Sequence, residues 1–195
     1  MTDEPWTLCA RWMADAETTE PRVPDAMQVA TSTPDGRPTV RTVLLKGFGP
    51  DGLVFYTNLE SRKGRQLAAN PFCAFVLHFK GLERQILGEG PVQPVDPSIA
   101  DAYHASRPRG SQLGAWASPQ SQGITADALN ARVAEVEARF AGQDVPRPPF
   151  WSGFVILPER LEFWQGRRDR LHERRSFLRH GPMSAPAWSL ERLAP

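Results

Sequence analysis

The stretch Tyr103 to Trp116, YHASRPRGSQLGAW, concentrates groups that bind anions. Tyr103, Arg107 and Ser111 recur at intervals of four, with Arg109 beside them. A guanidinium offers phosphate a planar two-pronged donor set, and hydroxyls fill the remaining lone pairs. Read alone, the stretch is more simply an amphipathic helix end with solvated arginines. A second cluster lies in YTNLESRKGRQL, which sets Ser61, Arg62 and Lys63 at a helix start. Free amides and the helix dipole attract anions there, and cations are unfavourable unless an anion is bound. Arg62-Lys63 therefore marks a candidate phosphate site, against the plainer alternative of surface basic residues.

Three other segments carry suitable side chains. RTVLLK, Arg41 to Lys46, is an apolar strand bracketed by two cations. Strict alternation places Arg41 and Lys46 on opposite faces, so one flat ligand touches both only if the strand bends or the ligand crosses its end. Gln85, in LERQILGEG, offers an acceptor and donors to a heterocycle edge, or is a sheet-edge residue. In FWQGRRDRLHER, Arg170, His172 and Arg174 alternate and are expected to share one strand face just after Trp164. Such groups repel one another unless they meet an anion or an aromatic plane. Otherwise Trp164 is core and the basic run a solvated edge. His78, His104 and His180 have no acidic or cysteine partners at metal spacing and read as structural or exposed, so no metal is expected.

The bulk figures narrow the function classes. The 195 residues are 41% hydrophobic and 23% charged, the balance of a soluble globule with one substantial core. A net charge of +1 argues against a general nucleic-acid binder. Only three of the 23 basic residues are lysines, Lys46, Lys63 and Lys80, and two of these fall inside the motifs above. Cys9 and Cys73 form neither a metal pattern nor a disulfide framework, and Cys73, in FCAFVLHF, reads as a buried thiol. No apolar run approaches membrane-spanning length and the N-terminus has no apolar signal core, so a cytoplasmic place is expected.

The elements that must position these residues follow from periodicity. Residues 5–17 read as an amphipathic helix and 18–25 as a Pro-containing loop. Ala26–Ser32, Thr39–Lys46 and Leu53–Thr57 read as strands, separated by Pro-Asp-Gly turns at 34–36 and 50–52. A helix is expected at Ser61–Ala69, capped by Ser61 and ended by Asn70-Pro71, with strands resuming at Phe72–Phe79 and Glu83–Val95. Asp96-Pro97 opens another helix that Pro108 breaks. Thr125–Ala141 is the clearest helix, with Leu129, Val133, Val136 and Phe140 on one face and Gly142 closing it. After a proline linker, Ser152–Ile156, Arg160–Gln165, Leu171–Leu178 and Trp188–Leu193 read as strands. Strands at both ends with helices between them suggest one antiparallel barrel domain over 1–195, with residues 97–141 as a helical side layer. No βαβ pattern and no GxGxxG turn is present.

Together, RTVLLK, YHASRPRGS and FWQGRRDRLHER give a chain that, from about Trp6 to the C-terminal ERLAP, resembles the pyridoxamine 5′-phosphate oxidase family. The resemblance implies a mainly β, α+β fold: a split antiparallel β-barrel with flanking helices, acting as a homodimer with FMN at the interface. It implies FMN contacts from Arg41, Thr42, Val43, Leu44, Leu45 and Lys46. It adds Tyr56, Thr57, Arg62 and Lys63 for the flavin and its phosphate. Gln85, Gln120, Ser121, Trp164 and Arg174 complete that set, partly from the second subunit. Lys46, Tyr103, Arg107 and Ser111 are implied to hold the substrate phosphate, with Arg170 and His172 over the substrate ring. The implied reaction converts pyridoxamine or pyridoxine 5′-phosphate to pyridoxal 5′-phosphate. Hydride passes from the substrate 4′ carbon to flavin N5, and oxygen then reoxidises the flavin to give hydrogen peroxide. His172 could assist the proton that leaves the amine or alcohol, or only orient the substrate. A phenazine-type oxidase on the same fold is one alternative, expected to lose the Tyr-x3-Arg-x3-Ser set. A pyridoxal phosphate or flavin carrier without turnover is the other. Many members carry a longer, basic, tyrosine-containing N-terminal extension that covers the substrate, which this sequence is expected to lack. Val23 also stands where members often have an acid before the proline, with Asp25 nearby but displaced.

Overall fold

A computed structural model describes residues 4–19, 22–182 and 186–195. Helix α1 (Pro5–Thr19) buries Leu8, Cys9, Trp12, Met13 and Ala16 against the sheet. It runs two residues beyond its expected end, so the predicted loop shortens, and residues 20 and 21 of that loop lie outside the described residues. Arg84 anchors this helix, with an ion pair to Asp15 at 2.6 Å and its guanidinium 4.8 Å from the Trp12 ring.

The strands are β1 (Ala26–Ser32), β2 (Pro38–Leu44), β3 (Gly47–Gly49), β4 (Gly52–Asn58), β5 (Phe72–Phe79), β6 (Arg84–Pro94), β7 (Trp151–Ile156), β8 (Arg160–Gln165), β9 (Glu173–His180) and β10 (Ala187–Leu193). Every pairing is antiparallel, in the order β10-β9-β8-β6-β5-β1-β2, with β7 and β4 attached through the far end of β6. β6 joins the two parts: Arg84–Glu89 pair with β8, while Val92–Pro94 pair with β7. One strand that changes partners along its length lets the sheet curl into the expected split barrel. Alternate residues of β1, β5 and β6 are buried, and Met27, Val29, Leu77 and Ile86 are each 0% exposed. Both predicted Pro-Asp-Gly turns form, with Gly36 at φ +83 and Gly52 at φ +111, a region only glycine enters freely. Cys73 lies buried on β5, and burial pushes its thiol up to about 12.

Two expectations for the strands fail. β2 ends at Leu44, and the Lys46 amide instead donates to the Val54 carbonyl at 2.7 Å. Lys46 therefore stands off the strand, and alternation does not decide where its side chain goes. The strand expected at Leu171–Leu178 is in fact β9, Glu173–His180. Gln165 and Glu173 are paired across β8 and β9, so residues 166–172 must make the reversal between them. Arg170 sits there in a short 3-10 turn (Arg168–Arg170), left-handed at φ +62, and His172 precedes the strand. Arg170, His172 and Arg174 do not share a strand face.

Helix α2 (Arg62–Ala69) starts at Ser61, whose side chain accepts from the Gly64 amide at 3.2 Å. A Cβ on Gly64 would strike the Leu59 carbonyl, so only glycine lets this helix start so close to the preceding loop. On the side of the barrel lie α3 (Pro97–Ser106), α4 (Arg109–Ala117) and α5 (Ala126–Arg139). Asp96 caps α3, with Pro97 in its first turn, and Thr125 caps α5. The chain extends at Arg107 and Pro108 before re-entering α4, the break that Pro108 predicts. α4 and α5 share a small apolar cluster of Leu113, Phe140 and Val145, with Trp116 and Val136 packed against it.

Candidate active site

A cavity of about 540 Å³ opens between the ends of β2 and β4 and the helices α3 and α4. Lys46, Lys63, Tyr103, Arg107, Ser111 and Gln120 bring the polar groups to its wall. Thr42, Val43 and Leu44 of β2 and Tyr56 and Thr57 of β4 also line it. Tyr103, Arg107 and Ser111 come from the end of α3, the break after it and the first turn of α4. The interval of four thus spans two helices, and the break at Pro108 carries all three residues to one wall.

Arg107 has bonding capacity that the protein leaves unmet. Its guanidinium lies 4.7 Å from the Trp151 ring, and its Nη1 is buried with no hydrogen-bond partner. A buried donor left unmade is costly, more so on a charged group. Burial holds the Arg107 pKa below its ordinary value, with Tyr103 opposing. The Tyr103 ring stacks on Tyr56 at 3.8 Å, and Tyr56 lies parallel to Trp151 at 5.5 Å. Burial, then Tyr103, raises the Tyr56 phenol. Gly153, opposite Tyr56 on β7, admits that ring, since a Cβ there would fall 2.8 Å from it.

The α2 start forms the deeper end. Lys63 is 8% exposed, and its Nζ donates to Thr57 Oγ1 at 2.9 Å, Ser61 Oγ at 3.2 Å and Gln120 Oε1 at 2.9 Å. All three are neutral oxygens. Burial and then Arg41 push the Lys63 ammonium down to about 8. Ser121, left-handed at φ +72, accepts from the Arg62 amide at 3.1 Å. Gln120 and Ser121 therefore reach the α2 start within one chain.

Arg41 and Leu45 behave differently from the rest of RTVLLK. Leu45 is 4% exposed and belongs to the core. The Arg41 guanidinium turns inward, to the Val29 carbonyl at 2.9 Å, Thr31 Oγ1 at 2.8 Å and Thr39 Oγ1 at 2.5 Å. Burial, then Arg62, lowers its pKa. Gln85, Trp164 and Arg174 form a row across β6, β8 and β9, each paired with the next. His172 reaches back to Trp164, ring centroids 4.6 Å apart, and Arg174 holds Glu162 at 2.6 and 3.1 Å. None of Gln85, Trp164, Arg170, His172 and Arg174 lines the cavity. The sequence-predicted set thus divides into two separate parts of one chain. Trp151, Asn58 and Asp25 were not predicted. Trp151 follows a proline linker like any core aromatic, and its place under Arg107 depends on β7 pairing with β4.

A protein-family model described as pyridoxamine 5′-phosphate oxidase matches residues 14–140, and one for the pyridoxine 5′-phosphate oxidase C-terminal dimerisation region matches 151–195. The chain belongs to the pyridoxamine 5′-phosphate oxidase family. It is 60% identical to a pyridoxine/pyridoxamine 5′-phosphate oxidase of Sphingopyxis alaskensis, over 92% of this chain and 83% of that one. It is 51% identical to the Gluconobacter oxydans protein of the same name, over 98% and 94%. Among solved structures, PhzG from Burkholderia lata 383, in complex with tetrahydrophenazine-1-carboxylic acid, superposes with a TM-score of 0.90 at 34% identity, covering 98% of this chain and 93% of that one. A related FMN-binding protein of Nostoc punctiforme gives 0.75 at 20% identity, covering 100% and 99%, which supports the fold.

Members of this family are FMN-dependent oxidoreductases, and the match over 151–195 supports a homodimer. The α2 start suits a phosphate on this chain's own chemistry: a buried ammonium with only neutral acceptors, beside Arg41, lacks a counter-charge that an anion would provide. Among the described residues no group of three His, Cys, Asp or Glu comes together to hold a metal, and no helix is long and apolar enough to cross a membrane.

Proposed function

We propose that this chain oxidises pyridoxamine 5′-phosphate or pyridoxine 5′-phosphate to pyridoxal 5′-phosphate, as a cytoplasmic homodimer. The observation that carries the reading is the unpartnered Arg107 Nη1 in a cavity shared with Lys46, Tyr103 and Ser111. Those four groups supply the cations and hydroxyls that a phosphate monoester needs. Lys63, with the α2 amides and Arg62, holds the FMN phosphate, and Thr42 to Leu44, Tyr56, Thr57 and Gln120 line the way from it to the substrate groups. FMN, when bound, supplies the two-electron redox chemistry, with dioxygen as terminal acceptor and hydrogen peroxide as product. The chain's own part is to fix two phosphates so that the two ring systems face each other.

Arg170, His172, Trp164, Gln85 and Arg174 belong to the same site through the second subunit. This is supported by their grouping on one chain away from the cavity and by the dimerisation region that holds four of them. Arg170 and His172 then orient the substrate ring, and Trp164, Gln85 and Arg174 contact FMN. The phenazine-type reading draws on the likeness to PhzG. The intact Tyr103, Arg107 and Ser111 set favours a phosphorylated substrate instead. The direct test is hydrogen peroxide production in air by the FMN-loaded protein given pyridoxamine 5′-phosphate. Peroxide and pyridoxal 5′-phosphate should appear in equal amounts. A protein that binds both FMN and the substrate yet forms neither product is a carrier, and the proposal fails.

A further inference from the structure

Of the cations on the cavity wall, Lys46 has a carboxylate on it. Its Nζ lies 2.6 Å from Asp25 Oδ2, and each side chain is 28% exposed. Asp25 occupies the turn that leads into β1. Its backbone carbonyl accepts from the Leu45 amide at 2.8 Å, and the Lys46 amide donates to Val54 at 2.7 Å. Main-chain bonds therefore fix the Asp25 and Lys46 backbones relative to each other, and the carboxylate completes the link through the side chains. The turn Val23-Pro24-Asp25 carries its acid after the proline, where it reaches Lys46, while Val23 is 50% exposed.

We propose that Asp25 is a positioning residue for phosphate binding: its carboxylate holds the Lys46 ammonium at the cavity wall ahead of the ligand. This rests on the reading of the cavity as the substrate phosphate site. Lysine is a point charge on a flexible four-carbon stem, and an untethered one loses that freedom when it meets a ligand. An ammonium has three donors, so Asp25 takes one and leaves two for the cavity. The ammonium also stands between Asp25 and an arriving phosphate, which limits their repulsion. Lys46 thus serves as an oriented donor in spite of having left its strand.

The test is a double-mutant cycle on the FMN-loaded protein with Asp25→Asn, Lys46→Met and the pair. It reads KM and kcat for pyridoxamine 5′-phosphate, the dissociation constant of pyridoxal 5′-phosphate by equilibrium dialysis, and Tm. Asp25→Asn keeps the size of the side chain and the backbone bond to Leu45. It should raise KM and the dissociation constant roughly two- to tenfold with kcat unchanged, and Asp25→Glu should recover part of the loss. In the Lys46→Met background Asp25→Asn should change neither constant, because the group it positions is gone. Additive effects of the two substitutions would overturn the proposal. So would a lower Tm with KM unchanged, which assigns Asp25 to the turn alone, or a Lys46→Met protein that matches wild type. A wild type that neither binds pyridoxal 5′-phosphate nor turns over would instead overturn the functional reading, and this inference with it.

Discussion

At Lys63, burial and a neighbouring cation act together against the ammonium, and the sign of the effect makes it measurable. Its folded pKa lies at about 8, below the ordinary 10.5 of an unfolded lysine. Between those values the unfolded chain keeps a proton that the FMN-free fold has released, so the stability of the FMN-free protein gains from this group as pH rises through that window. FMN acts in the opposite sense, because its phosphate, dianionic above about pH 6, favours the ammonium. FMN affinity should therefore fall as pH rises through about 8. Quenching of FMN fluorescence on binding measures this directly. Lys63→Met should bind more weakly with a flatter pH profile, and a wild-type affinity that is flat across this range would contradict the account. The helix start at Arg62-Lys63 was legible in the sequence because it is local, set by Ser61 and the residues just after it. Trp151 under Arg107 and Asp25 on Lys46 were not, because strand pairing and a turn bring together residues far apart in the chain.

Among the elements, the connection from β8 to β9 shows why alternation misled. Arg170, His172 and Arg174 have strand spacing, yet the Gln165–Glu173 pair ends one strand and begins the next, so the first two lie in the reversal. The correction sharpens the expected division of labour. Arg174 stays in the sheet row with Trp164 and Gln85, tied down by Glu162, while Arg170 and His172 lie in the reversal, with the His172 ring against Trp164. Arg174→Ala should lose FMN on desalting. Arg170→Ala and His172→Ala should keep FMN and slow its anaerobic reduction by pyridoxamine 5′-phosphate. Wild-type reduction rates in both of those variants would remove this turn from the reacting centre. β1, β5 and the helix over 126–139 lie where expected because burial alternates along the two strands and recurs at 129, 133 and 136 along the helix, the ordinary periods. Lys46 departed because a strand end depends on its partner: the Lys46 amide bonds to β4 and not to β1.

For the whole molecule, the proposed site draws on a second subunit. The cavity groups and the Gln85–Trp164–Arg174 row are separate, and the C-terminal segment that carries most of the row matches a dimerisation region. Ligand shared across an interface stabilises the oligomer by mass action. Light scattering should therefore find a dimer that resists dilution better with FMN than without it. A monomer that binds FMN as tightly as the dimer would contradict a shared site. The central claim, that the cavity holds the phosphate of a substrate oxidised by FMN, is tested most directly by anaerobic rapid mixing followed at the flavin absorbance band. Wild type and Arg107→Ala, both FMN-loaded, are each mixed with pyridoxamine 5′-phosphate and with unphosphorylated pyridoxamine. Loss of a buried charge partner costs roughly 2–4 kcal/mol, or about 30- to 1000-fold. Wild type should bleach at low concentrations of the phosphorylated compound. Arg107→Ala should need that much more of it, with no comparable loss of FMN, and pyridoxamine should be poor for both proteins. Equal bleaching by the two compounds in wild type, or an Arg107→Ala protein that matches wild type with both, would contradict the account.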